Sequence, residues 1–167
     1  SNVELSSLAK DNFNYRTQTV VRIILSIYVG LTAITTIALK LSGLNWFDSL
    51  CHAMSACSTC GFSNKNLSVG HFNSPVVEMV FIVAMLIAGM HFGLIYATLT
   101  RKPNNIFRSE VTRSYLLMFA ISTILITLSL CVSSIYPTAI SSLRHAAFQV
   151  ASLMTTTGFA TADCNTW

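Results

Sequence analysis

Three long stretches without a charged residue constrain this chain more than any other feature of its sequence. The charged residues that bound these stretches are Arg22 and Lys40, Glu78 and Arg101, and Arg113 and Arg144, and they enclose 17, 22 and 30 uncharged residues. A helix needs about 20 apolar residues to cross the hydrocarbon core of a bilayer. We therefore expect three membrane spans, near residues 20–41, 76–99 and 113–136.

The composition supports a membrane environment. Only 10% of the 167 residues are charged and 53% are hydrophobic, whereas a soluble domain carries about 25% charged residues. So few charges cannot cover the surface of a soluble helical protein. The net charge of +4 does not indicate nucleic-acid binding, because the basic residues lie at the ends of the spans. The sequence thus predicts an all-α membrane protein surrounded by lipid.

The distribution of basic residues predicts the orientation in the membrane. One side would carry Lys10, Arg16, Arg22, Arg101, Lys102, Arg108 and Arg113, and the other only Lys40, Lys65 and Arg144. Basic residues are enriched on the cytoplasmic side of membrane proteins. The amino end and the 100–113 loop are therefore expected in the cytoplasm, and residues 42–75 and 137–167 on the outer side.

Two polar segments, ACSTCGFSNKN at 56–66 and LMTTTGFATAD at 153–163, share a Gly-Phe pair and recur at an offset of 97 residues. Internal repeats are common in transport proteins. We predict one unit over 1–107, with a pore helix and filter near 46–62, and a second unit over 108–167, truncated after a pore helix and filter near 142–159. The chain would then be an internal part of a longer polypeptide.

A short apolar helix precedes each polar segment, beginning after Asn45 in the first unit and at Ser141 or Ser142 in the second. Neither helix is long enough to cross a bilayer. The chain must then return outward, and Ser74-Pro75 is typical of the start of the next span. Irregular backbone at membrane depth occurs only where it is buried in protein or lines a watery cavity. This favours repeated helix–pore loop–helix units with re-entrant half-helices, as in potassium channels.

Such segments suit a cation. Rows of backbone carbonyls replace the hydration shell of potassium in channel filters, and glycine adopts the backbone torsions that turn carbonyls toward one path. The half-helices would direct the negative ends of their dipoles toward the same region. The residues alone therefore predict cation permeation.

The stretches CHAMSACSTCGFSNKN, AGMHFGLIY and FQVASLMTTTGFATAD resemble the Trk/Ktr/HKT superfamily of potassium transporters, and within it the TrkH family, over nearly the whole chain. They are similar to the second unit and most of the third. The resemblance implies potassium uptake, with K⁺ as the permeant ion, no covalently bound cofactor and no enzymatic activity. It also implies four units around one pore in a bacterial inner membrane, a homodimer, and a cytosolic TrkA-like nucleotide-binding regulatory subunit.

The resemblance also assigns the filter, mainly through backbone carbonyls. Its residues would be Thr59, Cys60, Gly61 and Phe62, and Thr156, Thr157, Gly158 and Phe159. The remaining filter strands would come from the rest of the same polypeptide. The chain departs from the family pattern at Cys60, and at His91, where the family has an asparagine.

Two other functions are compatible with parts of the sequence. An ion-coupled secondary carrier with broken helices would need a carboxylate in a span, for which Glu78 is the candidate. A membrane redox or zinc enzyme would use Cys57, Cys60 and His52. The repeat argues against the enzyme, since the equivalent positions are Met154, Thr157 and Gln149. We expect His52 and His145 to lie at the membrane interface, near the outer ends of the short helices.

Overall fold

The computed structural model describes residues 17–90, 92, 95, 98, 109–133 and 135–162. These residues form α1 (Thr17–Leu41), α2 (Trp46–Cys57), α3 (Pro75–Ala88), α4 (Glu110–Val132) and α5 (Ala139–Met154), with a 3₁₀ turn at Ser68–Phe72. The fold is that of an all-α membrane protein built from helix–pore loop–helix units. The basic residues before residue 17, the 100–108 loop and His91 lie outside the described residues.

Two of the helices are long and apolar enough to cross a membrane. They cover Val21–Leu41 and Glu110–Val132, within α1 and α4, and many of their apolar side chains are exposed. In a membrane these side chains would contact lipid or other membrane helices. The predicted span near 113–136 ends earlier than expected, because Ser133 forms its C-cap and Pro137 follows, which disfavours helix in the residue before it.

The span predicted near 76–99 is described only in part. It begins at Pro75 as expected, and its continuous described helix, α3, ends at Ala88 with Gly89 as the C-cap. A Cβ atom at Gly89 would lie 2.7 Å from the Tyr115 hydroxyl, so neighbouring groups approach the backbone closely there. Residues 92, 95 and 98 are also helical, and the rest of this span lies outside the described ranges.

The two short helices begin at capping side chains. The Asn45 side chain accepts a hydrogen bond of 2.8 Å from the Asp48 amide, as expected for α2. The start of α5 was predicted at Ser141 or Ser142, and this was wrong. The helix begins at Ala139, because the Thr138 side chain accepts from the Ser141 amide and caps the helix three residues earlier.

Helix α3 joins the two units. α2 packs against α1 and α3, and α5 packs against α4 and α3. The buried core that results contains side chains from both units, among them Leu39, Ala53, Val69, Phe81, Met85, Phe148 and Phe159. The ring centroids of Phe81 and Phe159 are 5.1 Å apart. This core therefore sets the position of one pore loop relative to the other.

Candidate functional site

The backbone leaves both short helices in the same way. The amides of Thr59 and Cys60 donate hydrogen bonds of 3.2 and 3.1 Å to the carbonyls of Ala56 and Ser55. The same two bonds recur 97 residues later, from Thr156 to Leu153 at 3.1 Å and from Thr157 to Ser152 at 2.9 Å. This pair of bonds is the Schellman motif that ends many helices. The sequence repeat is therefore a structural repeat.

Each helix is followed by two left-handed residues separated by one other residue. We name residues 59–62 the first Gly-Phe segment and residues 156–159 the second. Thr59 has φ 51° and Gly61 φ 67°, and Thr156 has φ 57° and Gly158 φ 86°. A left-handed threonine costs about 1–2 kcal/mol, so the surrounding contacts must stabilise this backbone. The alternation reorients successive peptide groups, as a carbonyl-lined path requires.

The structure brings the two Gly-Phe segments into contact. A Cβ atom at Gly61 would overlap the Thr157 carbonyl oxygen, and would lie 3.0 Å from the Thr157 carbonyl carbon and 3.1 Å from that of Gly158. Only glycine fits this approach. At Gly158 the corresponding space is open, with no heavy atom of the described residues within 4 Å.

The phenylalanines of the two segments differ. The Phe62 side chain is 81% exposed, whereas Phe159 is 0% exposed and belongs to the shared core. The Phe159 carbonyl accepts a 2.7 Å hydrogen bond from the Ser152 hydroxyl. This carbonyl is therefore already paired, and Phe159 anchors the second segment.

The central residues of the segments also differ. The Cys60 side chain is exposed, and its sulfur lies 3.1 Å from the Ser58 hydroxyl. Its counterpart Thr157 is buried, and its hydroxyl lies 2.7 Å from that of Thr155. The side chains at this position thus point into different surroundings, while the backbone of the two segments follows the same course.

His52 is a site residue whose role was not predicted. It was expected at the interface, and this was wrong: the side chain is 0% exposed. Its Nδ1 lies 2.8 Å from the Asp48 carbonyl oxygen and its Nε2 lies 2.8 Å from the Ser63 hydroxyl. The spacing of Asp48, His52 and Ser55, at i, i+4 and i+7, is a sequence signal that places the three on one helix face.

Asp48 holds the chain just after the first Gly-Phe segment. Its carboxylate accepts hydrogen bonds from the side chains of Asn45 and Asn64 and forms a 3.2 Å ion pair with Lys65. The hydrogen bond from Asn64 and the nearby Lys65 charge lower the pKa of Asp48 below its usual value, and they outweigh the effect of burial.

The residues proposed for a zinc or redox centre do not form one. Among the described residues no cluster of three or more His, Cys, Asp or Glu side chains could hold a metal. Cys57 is buried, with its sulfur 3.8 Å from the Thr35 hydroxyl, whereas Cys60 is exposed. Both ring nitrogens of His52 already have partners.

The carboxylate considered for a coupled carrier lies in an ion pair between the units. Glu78 is buried, and its Oε2 lies 3.0 Å from Nε of Arg144. Neither atom has a hydrogen-bond partner, so the pair meets the distance of an ion pair but not the angle of a hydrogen bond. The neighbouring His145 is half-buried and stacks on Tyr136 with ring centroids 4.7 Å apart.

Two long apolar helices, each followed by a short helix and a left-handed Gly-Phe segment, with the two segments in contact, are features typical of membrane transport proteins with pore loops. The family model described as TrkH, cation transport protein, matches residues 3–167. The chain belongs to the TrkH family, whose members are transport proteins rather than enzymes.

Individual relatives agree with this assignment. The Trk system potassium uptake protein TrkH of Halomonas elongata is 37% identical over 142 residues, which cover 84% of this chain and 29% of that protein. The protein of the same name from Escherichia coli K12 is 30% identical over the same shares of the two chains. The crystal structure of the potassium transporter TrkH from Vibrio parahaemolyticus superposes with a TM-score of 0.84 at 25% identity, over 91% of this chain and 33% of that one. The chain thus spans about 29% of the length of these curated relatives.

Proposed function

We propose that this chain supplies two of the strands of a potassium-selective filter in a TrkH-like ion-translocating subunit. The single observation that carries this proposal is the contact between two Gly-Phe segments of matching left-handed backbone, each at the carboxyl end of a short helix. Carbonyls replace the hydration shell of potassium, and the helix ends add partial negative charge at the same place. The names of the relatives, as potassium uptake proteins, support potassium as the ion.

The carbonyls proposed to line the path are those of residues 59–62 and 156–158. The Phe159 carbonyl, which the family resemblance assigned to the filter, accepts a hydrogen bond from Ser152. We therefore give it a lesser part in ion contact and a larger part in holding the second segment. Cys60 would contribute its carbonyl, while its thiol is engaged with Ser58.

Two strands cannot surround an ion, so the complete pore would need strands from the rest of the polypeptide. The proposed assembly also includes a homodimer, a cytosolic TrkA-like nucleotide-binding regulatory subunit, and a bacterial inner membrane with the pore loops facing outward. The excess of basic residues in the amino end and the 100–113 loop supports this orientation.

The test is rubidium uptake by the complete protein in cells that lack other potassium uptake systems. We expect saturable rubidium uptake that competing potassium inhibits and that competing sodium leaves largely unchanged. Uptake that sodium inhibits as strongly as potassium would refute a potassium-selective filter. An empty-vector strain and equal protein in the membrane fraction control for leakage and expression.

A further inference from the structure

The first Gly-Phe segment is tied to its own pore helix along one face of α2. Near the carboxyl end of α2, the Ser55 carbonyl accepts a hydrogen bond from the Cys60 amide. Toward the amino end, His52 hydrogen-bonds the Ser63 side chain, and Asp48 binds Asn64 and Lys65. Ser55, His52 and Asp48 lie at i, i−3 and i−7 on α2, so the chain from residue 60 to residue 65 runs antiparallel to this face of the helix. The left-handed segment is thus attached to α2 on both the amino-terminal and the carboxyl-terminal side of Gly61.

The hydrogen bonds of His52 determine its tautomer. A backbone carbonyl only accepts, so Nδ1 of His52 must donate to the Asp48 carbonyl. In the neutral ring Nε2 is then an acceptor, and the Ser63 hydroxyl donates to it. The Ser63 oxygen in turn accepts from the Lys65 amide at 3.1 Å. The donor and the acceptor of each hydrogen bond in this series are therefore fixed, which favours a single conformation of residues 63–65.

His52 also contacts the second Gly-Phe segment. Its ring stacks on Phe159 at a centroid distance of 6.1 Å with an interplanar angle of 29°. Phe72 and Phe81 pack edge-on against the same ring, at 5.3 and 5.9 Å. One buried side chain therefore touches the aromatic anchor of one segment and hydrogen-bonds the residue that follows the other.

We propose that His52 is a positioning residue for ion selection, acting through its hydrogen bond to Ser63 to fix the first Gly-Phe segment against the second. This inference rests on the proposed function. His52 contacts no ion. It holds Gly61 at the distance from Thr157 that the two backbones require, and a loosened segment admits ions that the intact geometry rejects.

The experiment is a double-mutant cycle in the complete protein, with rubidium-over-sodium uptake as the readout. Ser63→Ala removes the donor to Nε2, and His52→Gln gives the first unit the side chain type that the second carries at Gln149. Each single change should reduce the uptake ratio by about fivefold, the equivalent of one hydrogen bond. The double variant should lose no more than the larger single loss, because both changes remove the same interaction.

Two controls separate positioning from simple destabilisation. Asn66→Ala lies on the same loop at an exposed position and should leave the ratio unchanged, and Ser63→Thr keeps the hydroxyl and should restore it. Membrane content and elution as a single peak in detergent are measured for each variant. If His52→Gln does not fold, Ser63→Ala and Ser63→Thr decide the matter.

The outcomes distinguish this inference from the proposed function. A selective parent whose Ser63→Ala and His52→Gln variants match Asn66→Ala would overturn the positioning role alone, and so would additive losses in the double variant. A parent without rubidium-over-sodium preference would remove the proposed function, and this inference with it.

Discussion

The two Gly-Phe segments have the same backbone conformation, but different contacts hold each of them, with the loop that follows it, in place. In the first loop, α2 itself supplies the ties, through His52 and Asp48. In the second loop, the equivalent positions are Gln149 and His145, and the Gln149 Oε1 is buried without a hydrogen-bond partner. His145 makes a longer contact, 3.4 Å from its Nδ1 to the Thr161 hydroxyl.

The second segment is held by its own helix, where the Ser152 hydroxyl donates to the Phe159 carbonyl, and in addition by the first unit. The Gly70 amide donates a 3.1 Å hydrogen bond to the Ala160 carbonyl, and the Ala160 amide donates to the Ser68 hydroxyl at 3.3 Å. Phe159 is buried in the core that the two units share. The same backbone conformation is thus stabilised by side chains of its own short helix in the first copy, and by its own short helix together with the neighbouring unit in the second. The first loop would then serve as the support against which the second is placed.

The largest difference in stability between equivalent variants of the two segments is expected at the two glycines. Gly61→Ala adds left-handed strain and a clash with the Thr157 backbone, and should lower the free energy of unfolding by about 2–5 kcal/mol. Gly158→Ala adds strain without a described contact, and should cost about 1–2 kcal/mol. Thermal unfolding of the purified complete protein in detergent measures both. Equal losses would show that Gly158 packs just as closely against residues outside the described ranges.

The next difference concerns the equivalent serines of the pore helices. Ser152→Ala leaves the buried Phe159 carbonyl without its donor, and should cost about 1–3 kcal/mol. Ser55→Ala removes a hydroxyl whose side-chain partner is the Cys60 sulfur at 3.4 Å, and should cost less than about 1 kcal/mol. Thermal unfolding of the two variants measures this difference. A larger loss of stability in Ser55→Ala than in Ser152→Ala would contradict the expected order.

Asp48 should make the first loop sensitive to acid. Its pKa is lowered in the folded protein, first by the Asn64 hydrogen bond, so the folded state binds its proton less tightly than the unfolded state. The stabilisation is therefore present above the ordinary pKa, about 4, and is lost as the pH falls through the lower folded value. Thermal unfolding between pH 3 and 7 should show this loss for the parent and a flatter profile for Asp48→Asn. An unchanged profile in Asp48→Asn would assign the acid sensitivity to other carboxylates.

The smallest effect is expected at Cys60. Cys60→Ala removes an exposed thiol and keeps the carbonyl, so the free energy of unfolding should change by less than about 0.5 kcal/mol and rubidium uptake should persist. Thr157→Ala is the matched change in the second segment, and should cost more because that side chain is buried. Loss of uptake in Cys60→Ala alone would indicate a thiol-dependent site.

Local features of the fold could be predicted from the sequence, and contacts between units could not. The Asn45 cap, the proline at the start of α3 and the two long apolar helices follow from neighbouring residues. The burial of His52 depends on Phe72, Phe81 and Phe159, which come from three later segments. The early start of α5 was missed because Thr138, Ser141 and Ser142 are all good capping residues.

The candidate site was predicted by residue type but not by environment. The repeat placed Gly61 and Gly158 at equivalent positions and suggested equal roles for them. Their difference arises from how the second segment lies against the first, which no spacing within either segment encodes. The same holds for Phe62 and Phe159, one exposed and one buried.

The most direct test of the central claim is the position of the permeant ion in crystals of the complete protein grown in rubidium. Anomalous scattering locates rubidium without reference to the protein density. We expect a peak beside the two Gly-Phe segments where they meet, within coordinating distance of the carbonyls of Gly61, Thr157 or Gly158. Rubidium bound elsewhere in the protein, with no peak beside either segment, would contradict it.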